Sequence, residues 1–157
     1  MFNRWVTAVS IATLAASVPV HAAYAMDIDT TPEVNVENPD FVAGRKAVER
    51  KNWKEAVTRF TRVVAKEPDN ADAHNLLGYA LRWQGDVNAA IASYERALKI
   101  NPNHRGALEY SGIAFVKAGD VSRAKDKLAK LKDVCGVNCE EYRDLAKAIA
   151  ELQVGKK

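Results

Sequence analysis

The sequence predicts an all-α protein made of helix pairs stacked in a row. Four kinds of position recur at a fixed interval of 34 residues. They carry a glycine, an alanine, a large apolar residue and a proline: Gly44, Gly78 and Gly112; Ala56, Ala90 and Ala124; Phe60, Tyr94 and Leu128; Pro68 and Pro102. A shared period of this length is typical of helix–turn–helix units, each of which completes the core of its neighbour. Such arrays point to binding rather than to catalysis.

Each unit shows the signals expected of two helices joined by a turn. Glycine and alanine at the first two recurring positions let the paired helices approach closely, because neither has a bulky side chain. The turns between paired helices fall at Lys51-Asn52, Gly85-Asp86 and Gly119-Asp120. Pro68 and Pro102 end the second helices, since proline cannot continue a helix interior. The predicted units span residues 37–70, 71–104 and 105–138.

The middle unit carries the clearest motif, which reads His74-x2-Leu77-Gly78-x2-Leu81, Ala90-x3-Tyr94, Pro102. This spacing resembles the tetratricopeptide repeat (TPR) pattern W-x2-L-G-x2-Y, A-x3-F, P. The resemblance covers about two thirds of the chain, and Gly136 stands where the third repeat would have its proline. It implies a right-handed TPR solenoid of three helix–turn–helix repeats.

A further amphipathic helix is predicted over residues 139–153. Tyr142, Leu145, Ile149 and Leu152 form one apolar stripe, and polar residues fill the other faces. A terminal repeat leaves a hydrophobic face open, so this segment is expected to be a capping helix. The TPR domain is therefore predicted over residues 41–153.

The first 25 residues are predicted to be a secretory signal peptide. Residues 6–18 are an apolar run of 13, and Ala23-Tyr24-Ala25 forms a small-x-small cleavage site. Cleavage is expected after Ala25, which predicts export to the periplasm of a Gram-negative bacterium. The alternative is an uncleaved anchor, although a bilayer span needs about 20 apolar residues.

Residues 26–40 are predicted to be a disordered acidic leader, because they contain five carboxylates, no lysine or arginine, and no apolar period. Asn38-Pro39 is expected to open the first helix. Residues 26–157 carry a net charge of +2 and residues 41–157 carry +7. The excess is either a basic binding surface or a solvated helix face. Nucleic acid is not an expected partner, since no reading motif is present.

Cys135 and Cys139 are the only cysteines, and they lie between the third repeat and the capping helix. Export to an oxidising compartment favours a disulfide bond between them. Free thiols, a redox pair and a metal site are the alternatives. The C-x3-C spacing differs from the usual C-x2-C redox motif, and two thiolates supply only half of a zinc site.

The sequence contains no recognisable catalytic constellation, phosphate-binding loop, cofactor motif or metal-ligand set. His74 occupies the large-aromatic position of its repeat and is expected to pack. The predicted function is an exported, non-enzymatic adaptor that binds a protein segment. The alternatives are a thiol-active accessory protein using Cys135 and Cys139, and a self-assembling structural subunit.

The resemblance also implies where such a segment binds. In the family, the first helix of each repeat lines a concave groove. This carries over onto a predicted binding groove of Phe41, Arg45, Asn75, Tyr79, Arg82, Trp83, Glu109, Ile113, Val116 and Lys117. Tyr79, Arg82 and Trp83 are the expected anchors, because aromatics and arginine dominate interface hot spots. Arg45 and Lys117 favour an acidic partner segment.

One subclass of the family clamps a C-terminal carboxylate with lysines, asparagines and an arginine. Its positions are occupied here by Phe41, Arg45, Leu76, Gly106 and Tyr110. Only Arg45 can bind a carboxylate, which argues against that subclass.

Overall fold

The computed structural model describes residues 38–154, which all lie in one compact unit. This part of the chain is all-α, as the sequence predicts. Its seven helices, which contain every regular element of the described residues, are α1 (Pro39–Glu49), α2 (Trp53–Lys66), α3 (Ala71–Gln84), α4 (Val87–Ile100), α5 (Arg105–Lys117), α6 (Val121–Cys135) and α7 (Glu140–Val154).

Polar side chains determine where the first six helices begin. At each start, a side-chain oxygen or ring nitrogen accepts a hydrogen bond from a backbone N–H of the first turn. The capping residues are Asn38, Asn52, Asn70, Asp86, His104 and Asp120. Because Asn38 caps α1, residues 39 and 40 of the predicted acidic leader are helical. The predicted signal peptide and the rest of the leader lie outside the described residues.

His104 is an unusual cap whose two ring nitrogens have distinct roles. Its Nδ1 accepts from the backbone N–H of Ala107 at 3.1 Å, so Nε2 carries the proton and donates to the Asp72 carboxylate at 2.9 Å. His74, in contrast, uses its Nε2 to donate to the backbone carbonyl of Pro68 at 3.0 Å. Both histidines therefore serve the turns between repeats.

The recurring glycines allow close helix contact in two different ways. A Cβ atom added at Gly44 would lie 2.7 Å from the Phe60 ring, and one at Gly78 would lie 2.7 Å from the Tyr94 ring. In both cases the ring comes from the second helix of the same repeat. At Gly112 the obstructing side chain is instead Leu145 from α7. Leu128, the third-repeat counterpart of Phe60 and Tyr94, is only partly buried.

The capping helix α7 occupies the place of the first helix of a further repeat. Leu145 and Ala146 lie 34 residues after Ser111 and Gly112, so the period continues into α7. α7 runs in the same direction as α5, because Arg105 pairs with Glu141 near their starts while Val116 faces Ala148 near their ends. Leu145 and Ile149 are buried in the core cluster shared by α4, α5, α6 and α7. Among the described helices, none is both long and apolar enough to cross a membrane.

Candidate binding surface

The structure places the ten predicted groove residues on the first helices of the repeats, α1, α3 and α5, but with different exposures. Arg45, Trp83 and Lys117 are exposed. Phe41, Tyr79, Arg82 and Ile113 are partly buried. The other three are buried, namely Asn75 (7% exposed), Glu109 (9%) and Val116 (9%). These three contribute to the floor of the groove rather than to its accessible surface.

Four aromatic rings, which we call the aromatic cluster, meet on this face: Trp53, Tyr79, Trp83 and Tyr110. The indoles of Trp53 and Trp83 stack with centroids 5.5 Å apart and planes 13° apart. Tyr79 packs edge-on against both of them and lies 5.1 Å from Tyr110. Trp83 nevertheless keeps 50% of its surface exposed. The cluster therefore presents one broad aromatic surface to solvent.

Sequence reasoning missed Trp53 and Tyr110. Trp53 begins α2, a second helix, and so falls outside the family's groove positions. The antiparallel packing of α2 and α3 brings the start of α2 beside the end of α3, where Trp83 lies. Tyr110 reaches Tyr79 because α5 runs alongside α3. Helix periodicity could have suggested these neighbours, but only once the helix pairing was known.

Arg82 lies among the rings of this cluster. Its guanidinium carbon is 5.3 Å from the centroid of Tyr79, 5.2 Å from that of Trp83 and 5.9 Å from that of Tyr110. A cation within about 6 Å of a ring face is attracted by the ring quadrupole. Arg82 thus holds the cluster together, and its truncation would disturb the fold as well as the surface.

Two further cations lie beside aromatic rings of the groove. Lys117 Nζ is 5.8 Å from the centroid of Trp83, and Arg45 lies 5.5 Å from that of Phe41. Both side chains are exposed. The accessible part of the groove therefore combines aromatic surface with positive charge.

The buried carboxyl group of Glu109 lies in a different electrostatic environment. Its burial, followed by the negative charges of Asp144, Glu141 and Glu140 on α7, raises the pKa of Glu109 to about 7. The positive charge of Arg82 acts in the opposite direction but is the smaller effect. Close to neutral pH, this position of the groove floor is therefore partly protonated.

A cleft of about 390 Å³ lies between the ends of α5 and α7. It is lined by Ile113, Val116, Lys117, Ala148, Glu151 and Leu152. Three of these are residues predicted to line the groove. The other three come from the capping helix, to which sequence reasoning had assigned only a closing role.

The Sγ atoms of Cys135 and Cys139 lie 2.13 Å apart, which is disulfide distance. Glu141 is close enough to complete a three-ligand group with them, in which all ligand atoms lie within 4.8 Å of one another. The Glu141 carboxylate, however, accepts a hydrogen bond from Arg105 at 2.5 Å. Sulfurs bonded to each other offer no thiolate, so this arrangement does not favour a metal site.

Comparison with known proteins identifies the architecture. The tetratricopeptide repeat family model matches residues 41–105 and 80–132. Tetratricopeptide repeat protein 36 of Xenopus tropicalis is 34% identical over 105 residues, which are 67% of this chain and 46% of that relative. The chain thus spans about half the length of this curated relative.

Two solved structures share the fold. The first TPR of Spaghetti (RPAP3) bound to the HSP90 peptide SRMEEVD is 18% identical, with a TM-score of 0.66 over 73% of this chain and 93% of that one. PcrH in complex with the chaperone binding region of PopD is 15% identical, with a TM-score of 0.64 over 75% and 91%. At such identities the similarity shows the fold alone. Since the family model covers more than half of its residues, this chain belongs to the tetratricopeptide repeat family.

Proposed function

We propose that this protein is an exported, non-enzymatic adaptor that binds a protein segment in the concave groove lined by α1, α3 and α5. The observation that carries the proposal is the aromatic cluster. Trp83 remains half exposed although it stacks on Trp53 and lies beside Arg82 and Lys117. Exposed tryptophan next to arginine is the composition enriched at interface hot spots.

The related folds support binding but not the same chemistry. Both solved neighbours are complexes with a peptide or with a binding region of another protein. In this chain the carboxylate-clamp positions hold Phe41, Leu76, Gly106 and Tyr110, none of which carries a positive charge. Recognition of a free C-terminal carboxylate is therefore not proposed. Aromatic contact takes its place, with positive charge at the edges of the groove.

The charges favour an acidic segment. Arg45 and Lys117 are exposed on the groove, and Arg82 is partly exposed between them. The groove also contains Glu49, exposed at the end of α1, and the buried Glu109. Because Glu109 is buried, it offers less repulsion to an incoming carboxylate than a solvent-facing acid would. Rim charges of this kind mainly affect association rate and selectivity.

Export rests on the sequence of residues 1–25, with cleavage after Ala25 and residence in the periplasm. The disulfide distance between Cys135 and Cys139 is what an oxidising compartment would produce. In this proposal the bond fixes the start of α7 to the end of α6 and has no redox role. An intact mass that still includes Met1, or rapid reduction by a mild thiol, would contradict these two points.

Site-specific photocrosslinking in the native cell tests the groove. A photoreactive residue replaces Trp83 in one variant and Val137 in the other. Val137 is a suitable control because it is also an exposed apolar residue, at 46%, but lies in the loop between α6 and α7. We expect a discrete crosslinked partner from position 83 and not from position 137. The same products from both positions would show that the groove is not the binding site.

A further inference from the structure

The cleft between α5 and α7 forms a second part of the concave face with a composition of its own. Ile113, Val116 and Leu152 supply apolar surface, and Ala148 leaves space between the helices because it is small. One helix step earlier, between α3 and α5, the corresponding positions are filled by Tyr79, Arg82 and Trp83. The groove is therefore closed by rings in one half and open as an apolar cleft in the other.

Lys117 joins these two halves. Its Nζ lies 5.8 Å from the Trp83 ring centroid, and the same side chain lines the cleft. Any segment that covers Trp83 and continues along the groove would thus pass Lys117 and reach the cleft. Among the described residues, Lys117 is the only cation that lines the cleft.

The one acidic residue of the cleft is partly compensated. Glu151 is exposed, and its carboxylate lies 3.9 Å from Lys147 Nζ, one turn earlier on α7. Lys117 has no such partner on its own helix, since the residues three and four positions before it are Ala114 and Ile113. The edge of the cleft nearest Trp83 therefore has an uncompensated positive charge above an apolar floor.

Resting on the proposed groove function, we infer that the cleft receives a large apolar side chain of the bound segment, while an acidic residue of that segment pairs with Lys117. The volume of about 390 Å³ lies within the roughly 300–1,000 Å³ of ordinary ligand pockets, and it is large enough for an aliphatic or phenyl group. The partner is thus a protein segment in which an acidic residue and a large apolar residue are close in sequence.

The test uses a library of random 12-residue linear peptides displayed on phage, selected against protein purified after expression of the full chain. We expect the selected peptides to combine aspartate or glutamate with leucine, isoleucine, methionine or phenylalanine a few residues away. Affinities of labelled synthetic versions are then measured by fluorescence polarisation for matched pairs of variants.

Ala148→Trp should fill the cleft and weaken binding at least tenfold, whereas Ala150→Trp, at an exposed position of the same helix, should change it less than twofold. Lys117→Glu should also weaken binding tenfold, while Lys125→Glu, exposed on α6, should not. Circular dichroism melts establish that the variants are folded.

The outcomes separate this inference from the function on which it rests. If Trp83→Ala weakens binding but Ala148→Trp does not, the groove is correct and the cleft assignment is wrong. If no peptide is selected, or if neither variant weakens binding, both proposals fail. If sizing chromatography without peptide shows a dimer that Ala148→Trp disperses, the occupant is a second copy of the chain, and the inference is overturned.

Discussion

The first two repeats and the third repeat with its capping helix achieve the same close packing with different side chains. Phe60 and Tyr94 lie directly over Gly44 and Gly78, and both rings are fully buried. In the third repeat, Leu128 is too small to fill that space, and Leu145 from α7 enters it over Gly112. The first two repeats therefore pack internally, whereas the third depends on a helix that follows it.

This difference means that the C-terminal part of the solenoid is held by contacts between elements rather than within a repeat. α7 supplies Leu145 to the core, Glu141 to Arg105, and half of the apolar cleft. It also brings three acidic residues towards Glu109. A single helix thus determines both the stability of the third repeat and the properties of one half of the groove.

The largest expected effect comes from the glycine positions. Gly78→Ala would place a Cβ 2.7 Å from the Tyr94 ring and 3.0 Å from the backbone carbonyl of Ala90, and neither can move aside. We expect it to lower the free energy of unfolding by about 3 kcal/mol, the upper end of overpacking costs. Gly106→Ala, where the nearest atom is 3.3 Å away, is the control and should cost less than about 1 kcal/mol.

Gly112→Ala provides the contrast, because the side chain that it meets belongs to α7. It should loosen α7, seen as faster amide exchange there, while α1 to α4 remain protected. In the Leu145→Ala background its cost should disappear, since the obstructing atoms are gone. A Gly112→Ala penalty that is independent of Leu145 would mean that the two ends of the solenoid pack alike.

The second prediction concerns charge at the α5–α7 contact. Glu109 has a pKa of about 7 in the folded protein against an ordinary value of 4.5. A raised pKa means that the folded state holds the proton more tightly, so this contribution to stability is complete below about pH 4.5. It is lost as the pH rises through about 7. No cation of α7 is recorded among the groups that shift this pKa.

Glu109→Gln should therefore be more stable than the native protein at pH 8, by roughly 1–3 kcal/mol, and about equal to it at pH 4.5. Glu49→Gln, at an exposed groove position of α1, should show no such difference. Urea unfolding at several pH values measures both. If native stability is flat between pH 4.5 and 8 apart from changes shared with the Gln variant, α7 does not repel Glu109.

The sequence predicts the periodic features of this molecule well and the pairwise ones poorly. The 34-residue interval is sufficient to place the helices and the turns at Gly85 and Gly119, because these depend on local backbone preferences. It also indicates where helices approach closely. Which side chain fills each approach is another matter, since Leu145 reaches Gly112 only through the tilt of α7.

The same limit applies to the candidate site. The family pattern selects Tyr79, Arg82 and Trp83, which do lie together. It does not select Trp53, whose indole reaches Trp83 from a neighbouring repeat. Nor does it distinguish the buried Glu109 and Asn75 from the exposed Lys117, because burial depends on which helices pack across each position.

The smallest expected effect compares the turn of the first repeat with those of the other two. Lys51 occupies the position of Gly85 and Gly119 and has a positive φ of 57°, beside 101° and 80° for the glycines. The closing hydrogen bonds are equivalent, since Lys51 N–H donates to the Val48 carbonyl at 2.9 Å and Gly85 N–H donates to that of Arg82 at 3.2 Å. The three turns therefore share one geometry, which only glycine adopts without strain.

Lys51→Gly should relieve that strain. A left-handed conformation costs an ordinary residue roughly 1–2 kcal/mol, and the greater freedom of glycine in the unfolded chain returns part of the gain. We expect a net increase in unfolding free energy of about 0.5 kcal/mol, and a decrease of about 1 kcal/mol for Gly85→Lys, which creates the same strain in the second repeat. Lys54→Gly, within α2, is the matched control and should be destabilising by about 1 kcal/mol. If Lys51→Gly and Lys54→Gly are equally destabilising in urea unfolding, the first turn differs from the others, and the first two repeats are not equivalent as the glycine packing suggests.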